Sequence, residues 1–479
     1  MFGGLLLGLS SPDAQRQILG LEAERSLGGG ALAALLNSSD DSVAQRAALA
    51  IGRTRNPAGT ALLEPHLHDA RVGVRAMSAY GLGLIGTGAA NDVLARLAVS
   101  DPSGAVRLAA IDALERYESD AILDGPDERR AYLAVKRALR SDVDSNVRGR
   151  AAIALNAFAD GPQGANAAAA LSAAANGSER ASGVRRRIMW SIFRRFASRV
   201  PRAVLRRNLH DADEVVRIEA VRAYGRLKRA GAMADILPLL GDPSWRVQEQ
   251  AAESIRALRG KPPATAWTAI PRYVHTPAPA PDPLAAETPV PRPSAFRLGP
   301  PSAANADLGP MLSFTDAASM VTPARGAHPR LRIVTTKGNI YVVLYPEWAP
   351  LTVANFIDLL NAGFLDNNRW FRIVPDFVVQ TGEQDDVKQP GPGYTIGAEE
   401  NPLEQNSYVL SMGLDYDPRK NTPLRDSAGS EYYITLSPQY HLDNDFTVFG
   451  AVSAGYDVLG RLVQSDRVVR VERIGDATL

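Results

Sequence analysis

The chain has 479 residues, a formal net charge of +1, six histidines and no cysteine. That length exceeds one ordinary hydrophobic core and predicts two or three domains. The lack of cysteine excludes disulfides, thiolate catalysis and cysteine-ligated metal sites, and near-neutrality argues against nucleic-acid or membrane binding by overall charge.

The N-terminus, MFGGLLLGLSSPDAQ, has a short apolar patch with no basic region before it. It reads equally as the remnant of a secretory signal, which would place the protein outside the cytoplasm, or as the first turn of a helix in a cytoplasmic one. No apolar run reaches the roughly 18–20 residues that span a bilayer, so no transmembrane segment is expected.

Residues 1–258 are repetitive. A valine opening an Ala-rich stretch recurs at Val43, Val74, Val106, Val147, Val184, Val216 and Val247. Arg75, Arg107, Arg148, Arg185 and Arg217 follow five of these valines directly. Asp69, Asp101, Asp142, Asp211 and Asp242 stand five positions before a valine, where a carboxylate is expected to cap the helix that follows. Small and apolar residues then return at i+3, i+4 and i+7, one helical face that only a stacked neighbour can bury. Ala44 and Gln248 replace the arginine in the end units, as caps with a neighbour on one side only. The pattern, D-x-x-x-x-V-R-x-x-A, resembles HEAT-like repeats of the short bacterial kind. It predicts an α-solenoid of about seven units and, on it, a protein partner.

Residues 184–207 hold nine arginines interleaved with Trp190, Phe193 and Phe196. They read as a site for an anionic partner such as nucleic acid, or as one divergent repeat with a solvated basic face. The near-neutral chain favours the second reading, and nucleic acid is not an expected partner.

Residues 259–329 contain 15 of the 33 prolines and lean towards polyproline II. They are expected to be a semi-rigid linker, or a docking site for a partner. The stretch LGPMLSFTDAASM (308–320) is less Pro-rich and reads as packing on a neighbouring domain.

Residues 330–479 change character. LRIVTT and IYVVLY around Lys337-Gly338-Asn339 predict a β-hairpin. A helix over VANFIDLLNAGF, capped by Thr352 after Pro350, is expected next. Apolar strands then alternate with Gly/Pro/Asp turns, which suits a closed antiparallel barrel of about eight strands with covering helices.

In WFRIVPDFVVQTGE, Arg372 stands five positions before Phe377 and eight before Gln380. A guanidinium beside an apolar socket suits gripping an X-Pro dipeptide and twisting its peptide bond, whose barrier is roughly 18–20 kcal/mol. As strand residues, Phe377, Val378 and Tyr433 fit a barrel core equally well; Arg372 and Gln380 beside them favour a pocket.

This section resembles the cyclophilin-type peptidyl-prolyl cis-trans isomerases over about 145 residues, through four blocks in the family's order. They are TTKGNIYVVLYPEWAPLTVANFIDLL, WFRIVPDFVVQTGE, GPGYTI with SYVLSMG, and AGSEYYITLSPQYHLDNDFTVFGAV. The resemblance implies an isomerase of X-Pro bonds in protein substrates that needs no cofactor or metal. Arg372 matches the family's catalytic arginine, Phe377, Val378, Tyr433 and Leu442 its proline pocket, and Gln380 its contact to substrate backbone.

The chain departs from the family at Phe371, often a histidine, at His441, which bacterial members share, and at Phe446 on the rim. Leu414, after Gly413, stands where an asparagine offers its backbone, and the loop DYDPRKNTPLRD that follows is longer and more charged than usual. Glu431 replaces a glutamine. It is expected either to hold Arg372 or to occupy its donors, and a slower isomerase or a module that binds Pro-containing segments would follow. Some HEAT-like relatives are lyases that attach chromophores, but no residue here supplies that chemistry.

Overall fold

The structure, a computed structural model, describes residues 12–227, 232–259, 281–292, 303–305, 309–311, 327–383, 391–420 and 422–478. The chain packs as two units, Met1–Thr54 with Thr276–Leu479, and Arg55–His275. This differs from the expected division at 258 and 329. The N-terminal helices place buried charges against the C-terminal domain, and such charges must be paired where they lie.

The second unit is helical. Val74, Val106, Val147, Val184, Val216 and Val247 are all buried, as the face pattern requires. Helices Val72–Ile85 and Gly104–Ser119 approach closely at Gly83, where a Cβ would come within 2.7 Å of the Ala113 backbone. The repeated Asp does not cap its helix. Its carboxylate accepts the N–H two residues on, at 2.8 Å in Asp69, Asp101, Asp142, Asp211 and Asp242, and so turns the chain into the true cap position. Asp144 and Asp213 occupy two of those cap positions and accept from Asn146 and from Val215 and Val216.

The same carboxylate binds the arginine of the preceding unit. Arg75 pairs with Asp101, Arg107 with Asp142, Arg148 with Glu179, Arg185 with Asp211 and Arg217 with Asp242. Each of these guanidiniums also donates to a carbonyl of its own turn, as Arg75 does to Asp69 O at 2.7 Å. Asp69 is held instead by Arg71 of its own turn, and Gln248 donates to Asp242 O without an ion pair.

The arginine-rich stretch is internally neutralised to a large extent. Arg185, Arg186, Arg195, Arg202 and Arg206 pair with Asp211, Asp213, Asp160 and Asp235, while Arg226 stacks 4.2 Å from the Phe193 ring.

The first unit is built on an eight-stranded antiparallel sheet. Its strands are β1 (Ala327–Thr335), β2 (Gly338–Leu344), β3 (Arg372–Val374), β4 (Val378–Thr381), β5 (Val409–Met412), β6 (Tyr432–Thr435), β7 (Val448–Ala454) and β8 (Val468–Thr478). Their order is β8-β1-β2-β7-β5-β6-β4-β3. The two edges meet through one isolated bridge, Arg369 to Arg467, flanked by Trp370 N–H to Asp466 O at 3.0 Å. The barrel is thus closed by a short seam rather than a full ladder. Thr335 pairs with Gly338, so the β1–β2 turn is Thr336-Lys337 and Gly338 already begins β2.

The helices of this unit include α1 (Pro12–Ala23), α2 (Ala31–Leu36), α3 (Asp41–Thr54) and α4 (Pro350–Asn361). Val353, Phe356, Leu359 and Leu360 of α4 fill the barrel core with Ile333, Ile340, Leu410, Tyr432 and Phe449. Thr352 lies inside α4 and does not cap it. The carboxylate of Glu399 does, accepting from Leu351 N–H, Thr352 N–H and the Thr352 hydroxyl at 2.8–3.1 Å. A side-chain oxygen pair at that helix end meets its unpaired N–H groups, although burial raises the Glu399 carboxyl above its ordinary value.

Part of the expected linker packs on the sheet. Val290 N–H donates to Arg473 O, Arg292 forks onto Asp366 at 2.6 and 2.8 Å, and Asp282 accepts from Tyr341. Ala303–Asn305 pairs with Gly309–Met311, and the rest of 308–320 lies outside the described residues, as do residues 1–11. Among the described residues no helix is long and apolar enough to cross a membrane.

Candidate functional site

Strands β3 and β4 form a hairpin whose three-residue tip is Pro375-Asp376-Phe377, with Asp376 at φ +54°. Proline pre-sets the first tip position, and an aspartate tolerates the left-handed one. The tip is pinned from beneath, because Gln439 Nε2 donates to Asp376 O at 3.0 Å and Leu436 N–H to Phe377 O at 2.8 Å. This register sets Arg372 opposite Gln380, Gln380 opposite Tyr433, and Tyr433 opposite Ser411. A row of side chains therefore crosses four strands on the face turned away from the core, since Val379, one step along, is fully buried in it.

Arg372 is exposed, donates from Nη1 to Gln380 Oε1 at 3.0 Å, and lies with its guanidinium carbon 5.2 Å from the Phe377 ring. Beside it Val378, Tyr433, Leu442 and Phe446 form a small apolar cluster separate from the barrel core, with Phe377 and Leu414 packed against it. Phe377 stacks on His441 at 5.8 Å, and Phe446 meets Tyr433 edge-on at 5.9 Å. Burial drives the Tyr433 phenol upward, so this wall stays neutral. Phe371 is the expected site residue that the structure leaves apart. It is outside the cluster, and its carbonyl accepts from Gln464.

Glu431 reaches the arginine only at one remove. Gln380 Nε2 donates to Glu431 Oε1 while Gln380 Oε1 receives Arg372. Neither expected direct effect on the guanidinium occurs among the described residues. Gly413 makes room for this arrangement, since a Cβ there would lie 2.5 Å from Glu431 Oε1, and its N–H donates to Glu431 O at 2.8 Å. Burial raises the Glu431 carboxyl to about 7, aided by the charge of Glu383 and a shared hydrogen bond with it, against the pull of Gln380. The role of Glu383 was not read from the sequence, although it ends the WFRIVPDFVVQTGE block.

The loop after Leu414 folds back on itself. Asp415 N–H donates to Ser427 Oγ at 2.8 Å, Leu424 N–H to Asp415 O at 2.7 Å, and Tyr416 bridges Pro423. An arginine poised over an apolar socket, with an amide beside it, can hold a proline ring and offer a donor to the prolyl nitrogen.

Residues 330–476 match the family described as cyclophilin type peptidyl-prolyl cis-trans isomerase/CLD, and residues 30–115 and 202–267 match HEAT repeats. Peptidyl-prolyl cis-trans isomerase B of Bacillus subtilis is 40% identical over 133 residues, 27% of this chain and 87% of that protein. A peptidyl-prolyl cis-trans isomerase of Synechococcus elongatus is 34% identical over 145 residues, 30% of this chain and 94% of that protein. A solved cyclophilin type isomerase from Cryptosporidium parvum shares 21% identity, at a TM-score of 0.28, over 30% of this chain and 97% of its own.

Proposed function

Because this chain belongs to the family of cyclophilin type peptidyl-prolyl cis-trans isomerases, we propose that it isomerises X-Pro bonds of protein substrates with Arg372 as its catalytic group. The barrier to rotation exists because the nitrogen lone pair is delocalised into the carbonyl. Proline brings no competing N–H and a trans preference of only about 0.5–1 kcal/mol. The proline ring sits among Phe377, Val378, Tyr433, Leu442 and Phe446, with Leu414 and His441 at the rim and Gln380 anchoring the flanking backbone. Arg372 donates to the prolyl nitrogen as its lone pair localises, and so binds the twisted state better than either planar isomer. The reaction transfers no proton and forms no covalent intermediate.

The observation behind this reading is the cross-strand pair of Arg372 and Gln380 beside the apolar cluster. The test is the isomerisation rate of X-Pro peptides with the full chain and with R372A. An unchanged rate would sink the assignment. The second reading is a module that binds Pro-containing segments with little turnover, and the Gln380–Glu431 bond that engages the arginine's partner favours it. Peptide kinetics separate the two. We further propose that the helical repeats present protein clients or another protein partner to the isomerase domain.

A further inference from the structure

The loop that walls one side of the groove is tied to the N-terminal helices. Arg25 pairs with Asp426 and donates to Arg53 O at 2.7 Å. Asp426 Oδ1 also accepts the Ala398 N–H at 2.8 Å, so one carboxylate holds together the 397–400 segment and Arg25, two residues past the end of α1. Fully buried Arg53 donates to the carbonyls of Trp348, Glu399 and Glu400 at 2.7–3.1 Å and to Glu22 at 2.6 Å. Glu22 also pairs with Arg46, and Arg425 pairs with the buried carboxylate of Glu400. From Asp426 the path is short, for Ser427 holds Asp415 and the next residue, Leu414, packs on the apolar cluster of the groove.

The backbone of Arg25 gives a second, independent sign. It takes φ +52° just past α1, with Ser26 N–H returning to Leu21 O at 2.8 Å. Glycine is the favoured residue at that helix-ending position, because a Cβ there is strained. An arginine there leaves α1 with a worse ending than glycine would, and what it adds is the side chain that reaches Arg53 and Asp426. Strain of this kind persists where surrounding bonds over-determine it.

We propose that α1–α3 are a working part of the isomerase unit, and that Arg25 is a positioning residue that fixes the 414–427 loop, and with it the Leu414 wall, through Asp426. The substrates affected are peptides long enough to extend from the proline pocket onto Leu414. The proposal rests on the isomerase reading above. It differs from that reading in making residues of the N-terminal helices necessary for groove shape.

The test uses the full chain with R25G, D426N and both together. Glycine suits the backbone of position 25, so R25G should keep or improve the end of α1 while loosening the loop. The expected result is faster hydrogen exchange at the amides of Asp415 and Leu424 in each single variant. KM for a long X-Pro peptide should rise several-fold with kcat held, and a short X-Pro peptide should show little change. The double variant should be no worse than either single, and R25K should restore much of the loss. Wild-type exchange and KM in R25G and D426N, or additive effects in the double variant, would overturn the proposal. A wild-type chain without turnover would instead overturn the isomerase reading, leaving amide exchange to decide this one.

Discussion

Arg372 and Gln380 face each other across the β3–β4 hairpin, joined by an Nη1–Oε1 hydrogen bond of 3.0 Å. The turn between them is local, so the proposed donor and its neighbour are placed by a few residues of chain.

Replacing Arg372 should be severe. R372A should lose about a hundredfold or more in kcat/KM on X-Pro peptides, the scale of losing one donor aimed at the transition state. R372K should recover little, since an ammonium lacks the planar fork that bonds Gln380 while presenting a second donor. Exchange NMR on a proline peptide reads both.

The Glu431 carboxyl, raised to about 7, predicts a pH step. Near pH 6 it is neutral and resembles the glutamine it replaces. As it ionises above 7 it grips Gln380 Nε2 harder and fixes the amide against Arg372. Turnover should fall through that range in wild type and stay level in E431Q. Equal pH profiles would refute this coupling.

Stability should follow the same group. The unfolded carboxyl ionises near 4.5 and the folded one near 7, so between them the folded state holds more protons. Its stability therefore falls as pH rises across that window, by about 3 kcal/mol at most. Urea melts at pH 5 and pH 8 should show E431Q with a smaller drop than wild type.

Local features were legible and distant ones were not. The Arg372–Gln380 spacing and the valine period each reflect short-range geometry, and the structure realises them. Thr352 was read as a cap because it stands at the right local position, but Glu399, 47 residues away, does the capping. The repeated Asp was misread for a related reason. A carboxylate before a helix looks like a cap, and its ion pair with the preceding unit leaves no mark within one repeat. Arg25 and Asp426 are 401 residues apart, beyond the reach of any periodicity.

Removing the Glu399 carboxylate should loosen α4. E399A should cost about 2–4 kcal/mol, combining a lost cap with a buried Arg53 deprived of a nearby charge. T352V, which gives up one hydroxyl bond, should cost about 1 kcal/mol. Thermal melting of the full chain with a C-terminal-domain probe compares them; equal losses would contradict the assignment of the cap to Glu399.

The repeats offer a contrast between buried and exposed pairs. Arg107 and Asp142 are 9% and 6% exposed, whereas Arg195 and Asp160 are 43% and 77% exposed. R107A should cost about 3 kcal/mol by stranding Asp142, and R195A less than about 1 kcal/mol. Denaturant melts followed through helical signal distinguish them.

The arginine–carboxylate ladder gives the helical array a direction. From Arg75 onward each link joins the cation of one unit to the carboxylate of the next, so the ladder's own charges cancel link by link. A copy could be gained or lost between two others and every guanidinium would still find a carboxylate, which makes the length of the array free to vary. At its far end Gln248 keeps the bond to its own turn and passes no charge onward. It acts as a full stop written in hydrogen bonds.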